Sequence, residues 1–169
     1  MTKYVIYTDG SSKKIKKTNT YIGGIGVFIV NNNNDSFNKK FYDKDSTNQK
    51  MELIACYLGI LKIINYSTFI QNADSIIIYT DSMYTINCIT KWAKVWELNN
   101  WTHYIKKKIK DVKHSDIIKK IYDIYKKYKI IFVHVYSHKT EPKEKKSDDW
   151  NIWYGNYMAD KLARSAINI

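Results

Sequence analysis

The sequence has very little sulfur. Two cysteines in 169 residues, Cys56 and Cys88, are too few for a disulfide framework or a cysteine-built zinc site. Proline occurs once, at Pro142, and 44% of the residues are hydrophobic, which together exclude wholesale disorder. No uninterrupted apolar run approaches the roughly 18–20 residues that a bilayer span needs. The opening residues, Met1 to Asp9, run into charge before a signal-peptide core could form. Arginine is almost missing as well, with Arg164 the one example. These absences lead us to expect a soluble intracellular chain, in cytoplasm or nucleus, that is monomeric and has no membrane partner. The length suits one domain, residues 1–169, large enough to bury its own core.

What the sequence has in excess is lysine. Lysine and arginine total 28 against 16 acids, a net charge of +12. A surface this basic favours polyanionic partners, nucleic acid before an anionic membrane. Codon bias is a competing source, because isoleucine and asparagine are abundant alongside lysine, as an AT-rich genome would produce.

Residues 3–8 and 22–30 are rich in β-branched and aromatic side chains and read as strands, with a polar turn from Lys13 to Thr20 between them. Phe37 to Tyr42 reads as a third, edge-like strand, so the chain opens with an antiparallel meander. The period then changes. From Asn48 to Asn65 apolar residues recur at helical spacing (Ile54, Leu58, Leu61), with Thr47 or Asn48 as the cap. Ser75 to Thr80 is apolar on both faces, as a buried central strand should be. Helices are expected from Ser82 to about Trp92, from about Asp116 to Tyr128, and from about Asn156 to Ile167, with a fifth strand at Ile130 to Tyr136. The order β-β-β-α-β-α-α-β-α implies an α/β domain on a mixed sheet flanked by helices.

Two strand ends match: Tyr7-Thr8-Asp9-Gly10 and Tyr79-Thr80-Asp81-Ser82. If the strands are parallel neighbours, both carboxylates emerge at one edge of the sheet, where ligands of open α/β sheets bind. Paired carboxylates there would raise each other's pKa unless a divalent cation lay between them. Taken alone, the two are ordinary turn aspartates. Glu52, expected in the first turn of the first long helix, and Asp160, near the start of the last, add two more acids. Each is also explained by the helix dipole.

With these segments in view, the chain resembles the type 1 ribonuclease H family over nearly its whole length. The resemblance is carried by Tyr7-Thr8-Asp9-Gly10-Ser11, Thr47 to Leu53, Tyr79 to Tyr84, Val135-Tyr136-Ser137-His138 and Gly155 to Ala163, in the family's order. It implies a ribonuclease H-like fold on a five-stranded mixed sheet. It also implies an endonuclease that hydrolyses the RNA strand of RNA/DNA hybrids, leaving 5′-phosphate and 3′-hydroxyl ends. Asp9, Glu52, Asp81 and Asp160 would be catalytic metal ligands for two Mg²⁺ ions, with Mn²⁺ as substitute; an all-oxygen ligand set suits these ions. His138, at the end of the fifth strand, would move a proton or assist product release, since histidine titrates near neutral pH. His134 reads as structural.

For substrate, the resemblance implies that Asn48, Gln49, Gly10 and Ser11 face the RNA strand, whose 2′-hydroxyls distinguish it from DNA. Tyr84 and Trp92 would line a channel for the DNA strand, although both also fit as core aromatics. Trp101, Lys106, Lys107, Lys108 and Lys110 belong to a segment that resembles a basic handle for the hybrid backbone. Asp45 stands where an arginine is common in a phosphate pocket of animal relatives. The stretch from Lys139 to Tyr154 is expected to be an ordered flap, anchored by Trp150 and Trp153, that positions His138 over the second metal site, or else a solvated insertion with no role. Two other functions stay in view: an integrase-like DNA nuclease of the same fold, and a non-catalytic hybrid-binding domain.

Overall fold

The computed structural model describes residues 1–30 and 32–168. The meander forms as expected from β1 (Lys3–Ile15), β2 (Thr20–Ile29) and β3 (Phe37–Asp43), paired antiparallel. β1 is longer than its apolar stretch. Its polar end, Ser11 to Ile15, pairs with Thr20 to Gly24, so the turn shrinks to residues 16–19, with Asn19 left-handed at φ 52°. A strand that pairs along one edge tolerates polar side chains, and this end carries no hydrophobic pattern to reveal it.

Helix α1 (Asn48–Ile64) follows, and Thr47 caps it, its Oγ1 accepting from the Lys50 N–H. β4 (Ser75–Thr80) pairs parallel with β1, and after α2 (Met83–Asn87), a π-helical turn (Cys88–Trp92) and α3 (Ala93–Leu98) the chain leaves the sheet. The expected Ser82–Trp92 helix thus forms, carries a π-helical turn within it and extends to Leu98. A hairpin of β5 (Thr102–Ile105) and β6 (Lys108–Asp111) stands apart as its own two-stranded sheet. Helix α4 (Ser115–Lys127) leads back to β7 (Ile130–His134), parallel to β4, and α5 (Asp148–Ile167) ends the chain. The main sheet has the order β3-β2-β1-β4-β7.

Side chains alternate across β1 with period two. Tyr4 and Ile6 point into a core shared with α1, α4 and β4, where Leu53, Ile60, Ile78, Ile118 and Ile121 are buried. Val5 and Tyr7 point the other way, into a smaller cluster with Phe28, Tyr79 and α5 residues Tyr154, Met158, Ala159 and Leu162. Helices therefore cover both faces, which is why β1 and β4 are apolar on both. On α1 the buried side chains are Met51, Leu53, Ala55, Cys56, Ile60 and Ile63, while the expected stripe of Ile54, Leu58 and Leu61 is half-buried. That helix is apolar nearly all round, so periodicity alone does not select its inner face.

Two further boundaries differ where function is concerned. β7 stops at His134, so His138 sits in the following loop, not at a strand end. α5 begins at Asp148, eight residues before the expected start, with Ser147 Oγ capping the Trp150 N–H. Trp150 and Trp153 are thus helical, and Asp160 lies well inside the helix. Glu52 likewise lies one turn into α1, beyond its first turn. Among the described residues no helix is long and apolar enough to cross a membrane.

Candidate active site

β1 and β4 run parallel and in register up to Tyr7 opposite Tyr79, so Asp81, just past the carboxyl end of β4, comes beside Asp9. Asp9 does not end its strand as expected but lies mid-strand in β1, still paired with Gly26 of β2. Glu52 reaches the same place because α1 crosses unusually close to β1. A Cβ on Gly10 would collide with the backbone of Met51 and Glu52, so only glycine permits this approach. Gly26 does the same for the other face: a Cβ there would strike the backbone of Ala159 and Ala163, and its absence lets α5 bring Asp160 down to the sheet. The four acids line one cleft of about 750 Å³, shared with Ser11, Asn48, His134, His138, Tyr136, Trp153, Tyr157 and Arg164.

Asp9 is 8% exposed. Burial first, then the charges of Asp81, Asp160 and Glu52, push its carboxyl from the usual 3.8 up to about 8, against the lowering pull of the Gly10 N–H donated to Oδ1 at 2.8 Å. Glu52 is raised by burial and by Asp81, and eased by Ser82 Oγ, which donates to Oε2 at 2.5 Å. Asp81 is raised by burial and by Asp160, and lowered by its own backbone N–H and by His138 and His134. Asp160 is held by Arg164, one turn on along α5. Four acids gathered in this way, three of them with carboxyls raised from their ordinary values, form a site that gains free energy from a bound cation.

The donor set contains carboxylates and imidazoles but no thiol, which fits Mg²⁺ or Mn²⁺ rather than a structural zinc. No group of three or more His, Cys, Asp or Glu side chains among the described residues is arranged to hold a metal ion as it stands. Magnesium is commonly bound through one or two carboxylates with water and substrate phosphate completing its shell, so a closed protein cage is not required.

Asp9, Gly10, Ser11, Asn48, Glu52, Asp81, His138 and Asp160 line this cleft together. Gln49 is exposed beside Asn48 on the first turn of α1. Tyr84 is half-buried against the core, its ring 6.4 Å from that of Trp92, which is 40% exposed. Trp101 turns inward onto Tyr122 and packs against the core, with Lys119 over its ring. Lys106, Lys107, Lys108 and Lys110 are exposed on the β5–β6 hairpin. Its two-residue tip, Lys106-Lys107, has φ of 47° and 61°. Positive φ at both positions is the hallmark of a type I′ turn, for which Asn-Gly is the usual sequence.

Two partners of the acids were not singled out from the sequence. Ser82 directly follows Asp81 in the sequence, but its bond to Glu52 joins residues thirty positions apart. Arg164 had a readable signal, the i,i+4 spacing from Asp160 on a helix.

A family model described as RNase H matches residues 1–168. A protein named ribonuclease H from Rickettsia akari (strain Hartford) is 35% identical over 95% of this chain and 88% of its own length. One of the same name from Clostridium botulinum (strain Hall) is 32% identical over 99% and 97% respectively. Among solved structures, a foamy viral protease-reverse transcriptase in complex with an RNA/DNA hybrid is similar at 25% identity and a TM-score of 0.68. That match covers 98% of this chain and 20% of the viral one.

Proposed function

The chain belongs to the ribonuclease H family and is a ribonuclease H endonuclease, and on that footing we propose that it hydrolyses the RNA strand of RNA/DNA hybrids using a pair of Mg²⁺ ions at Asp9, Glu52, Asp81 and Asp160. Members of this family depend on divalent metal ions. The observation that carries the reading is the arrival of four carboxylates from four separate elements in one cleft, with the Asp9 carboxyl pushed up to about 8. The similar reverse transcriptase solved with a hybrid supports the substrate class.

When bound, the ions supply an activated water and stabilise the leaving oxygen. The chain's own residues prepare the site. The Gly10 N–H fixes one oxygen of Asp9, and Ser82 fixes one oxygen of Glu52. Arg164 holds Asp160 against α5. Asp9, Glu52, Asp81 and Asp160 would together hold the ions in the cleft. His138, exposed at the rim, handles a proton or assists product release. Asn48, Gln49 and the backbone of Gly10 and Ser11 read 2′-hydroxyls, while the hairpin lysines hold phosphates. Tyr84 and Trp92 border the path of the DNA strand, and Trp101 supports the hairpin from below.

The test is incubation with end-labelled hybrid, double-stranded RNA and double-stranded DNA, with and without Mg²⁺. Cleavage confined to the RNA of the hybrid and dependent on the ion is expected. Cutting of duplex DNA, or cutting that survives chelation, would overturn the reading.

A further inference from the structure

Residues 135–147 join β7 to α5, and Lys139, Glu141, Lys143, Glu144, Lys145 and Lys146 give this strap the composition of a solvated loop. It is nevertheless tied down. The Trp153 indole N–H donates to the Lys139 carbonyl at 3.0 Å, and the Trp150 indole N–H donates to Glu141 Oε1 at 2.9 Å. Both indoles are themselves braced, Trp150 stacked on Tyr154 and Trp153 stacked on Tyr157 one turn along α5. Two non-glycine residues bracket the strap in the left-handed region, His138 at φ 56° and Lys146 at φ 66°. Backbone of that hand is unfavourable for such side chains and persists where the surroundings over-determine it.

The Trp153 bond falls on the carbonyl directly after His138. On the other side of that residue the Tyr136 ring lies between His134, 5.0 Å away, and Lys139 Nζ, 4.9 Å above it. His138 is itself exposed, with the ties on its neighbours Lys139 and Tyr136, in the cleft that holds Asp81 and Asp160.

We propose that Trp153 is a positioning residue: its indole N–H, through the Lys139 carbonyl, sets where His138 stands over the carboxylate cleft. The proposal rests on the reading of His138 given above. A merely structural Trp153 would stabilise the start of α5 and leave turnover alone. A Trp153 that touched the hybrid directly would act on KM whether or not His138 were present.

Steady-state cleavage of a hybrid by the full chain separates these, using Trp153→Phe, His138→Ala and the double variant. Trp153→Phe keeps a ring to stack on Tyr157 and loses only the donor. It should lower kcat about fivefold, the scale of one lost hydrogen bond, with KM within about twofold. In the His138→Ala background it should lower kcat no further. Glu141→Ala releases the second tie from the strap side without touching α5 and should slow turnover in the same direction. Equal losses in both backgrounds, a KM effect that persists without His138, or wild-type turnover in both strap variants would overturn the proposal. Wild-type turnover in His138→Ala would instead sink the role given to His138 itself.

Discussion

Replacing Asp9 with asparagine should inactivate the protein while making its metal-free form more stable, and the structure gives the size of the second effect. The Asp9 carboxyl titrates at 3.8 when unperturbed and at about 8 in the fold. Between those values the folded state binds more protons than the unfolded state, so stability falls as pH rises. The contribution is fully present below pH 3.8 and is lost as pH rises through about 8. At pH 7 the accumulated cost is roughly three pH units, or about 4 kcal/mol, at one unit per 1.36 kcal/mol. Asparagine avoids it. Its Oδ1 can still accept from the Gly10 N–H, and its amide faces carboxylates able to accept from it. Allowing for relaxation and water in the open cleft, a gain on the order of 3 kcal/mol remains, or roughly 6–12 °C in Tm for a chain of this size. Differential scanning calorimetry in chelator at pH 4 and pH 7 reads this directly: the two proteins should melt together at pH 4 and separate at pH 7. Adding Mg²⁺ should then raise the Tm of the wild type more than that of the variant. A variant that melts below wild type at pH 7, or a gap independent of pH, would refute the electrostatic account. Retention of more than about a tenth of wild-type turnover, a barrier change of only about 1.4 kcal/mol, would refute the role of Asp9 in catalysis.

Changing the hairpin tip to its preferred sequence, Lys106→Asn with Lys107→Gly, should stabilise the fold by up to about 1 kcal/mol in urea melts, because the left-handed dihedrals then suit their residues. The same change should weaken hybrid binding and reduce its salt slope by up to about two units; an unchanged slope would mean that these lysines only face solvent. Ser82→Ala removes both the donor to Glu52 and the N-cap that accepts from the Thr85 N–H. It should cost about 1–2 kcal/mol of stability at neutral pH and also lower kcat, and intact turnover would separate Ser82 from the site. Gly10→Ala should abolish activity, because its Cβ collides with α1 backbone beside Glu52. Wild-type kcat in that variant would show that the close approach is dispensable.

The legible parts of the fold were those whose signal is local and redundant. β4 was readable to the residue because Ser75-Ile-Ile-Ile-Tyr-Thr80 is apolar on both faces and is followed by a turn. α1 was readable because Thr47 is a true cap at its head. The four carboxylates were legible as a set only through the resemblance. Periodicity places Asp9 and Asp81 at strand ends, but it cannot say that Gly10 and Gly26 let two helices approach closely enough to add Glu52 and Asp160. That information lies in residues with no side chain, whose meaning depends on what packs over them. The β5–β6 hairpin was invisible for a different reason. Its strands are four residues each, largely exposed, and joined by lysines rather than by Asn-Gly, so neither alternation nor turn chemistry marks it.

The start of α5 shows how a readable signal is outweighed by composition. Ser147 followed by Asp148 and Asp149 is an N-terminal signature, a hydroxyl cap with two acids placed to favour the helix dipole. Trp150 with Tyr154, and Trp153 with Tyr157, are spaced i,i+4, and their rings stack at 4.8 and 5.3 Å because only a helical backbone brings that spacing face to face. Preceded by a run of lysines and glutamates, the same aromatics read as anchors inside a loop. They are anchors, but from outside it: they stand on a rigid helix and hold the strap by two indole N–H groups. The distinction changes the physics of His138. A loop that carries its own tryptophans can move with them. A strap bonded to a helix that also carries Asp160 has its position set by the element that supplies one of the four acids, so His138 and Asp160 share one frame across the cleft.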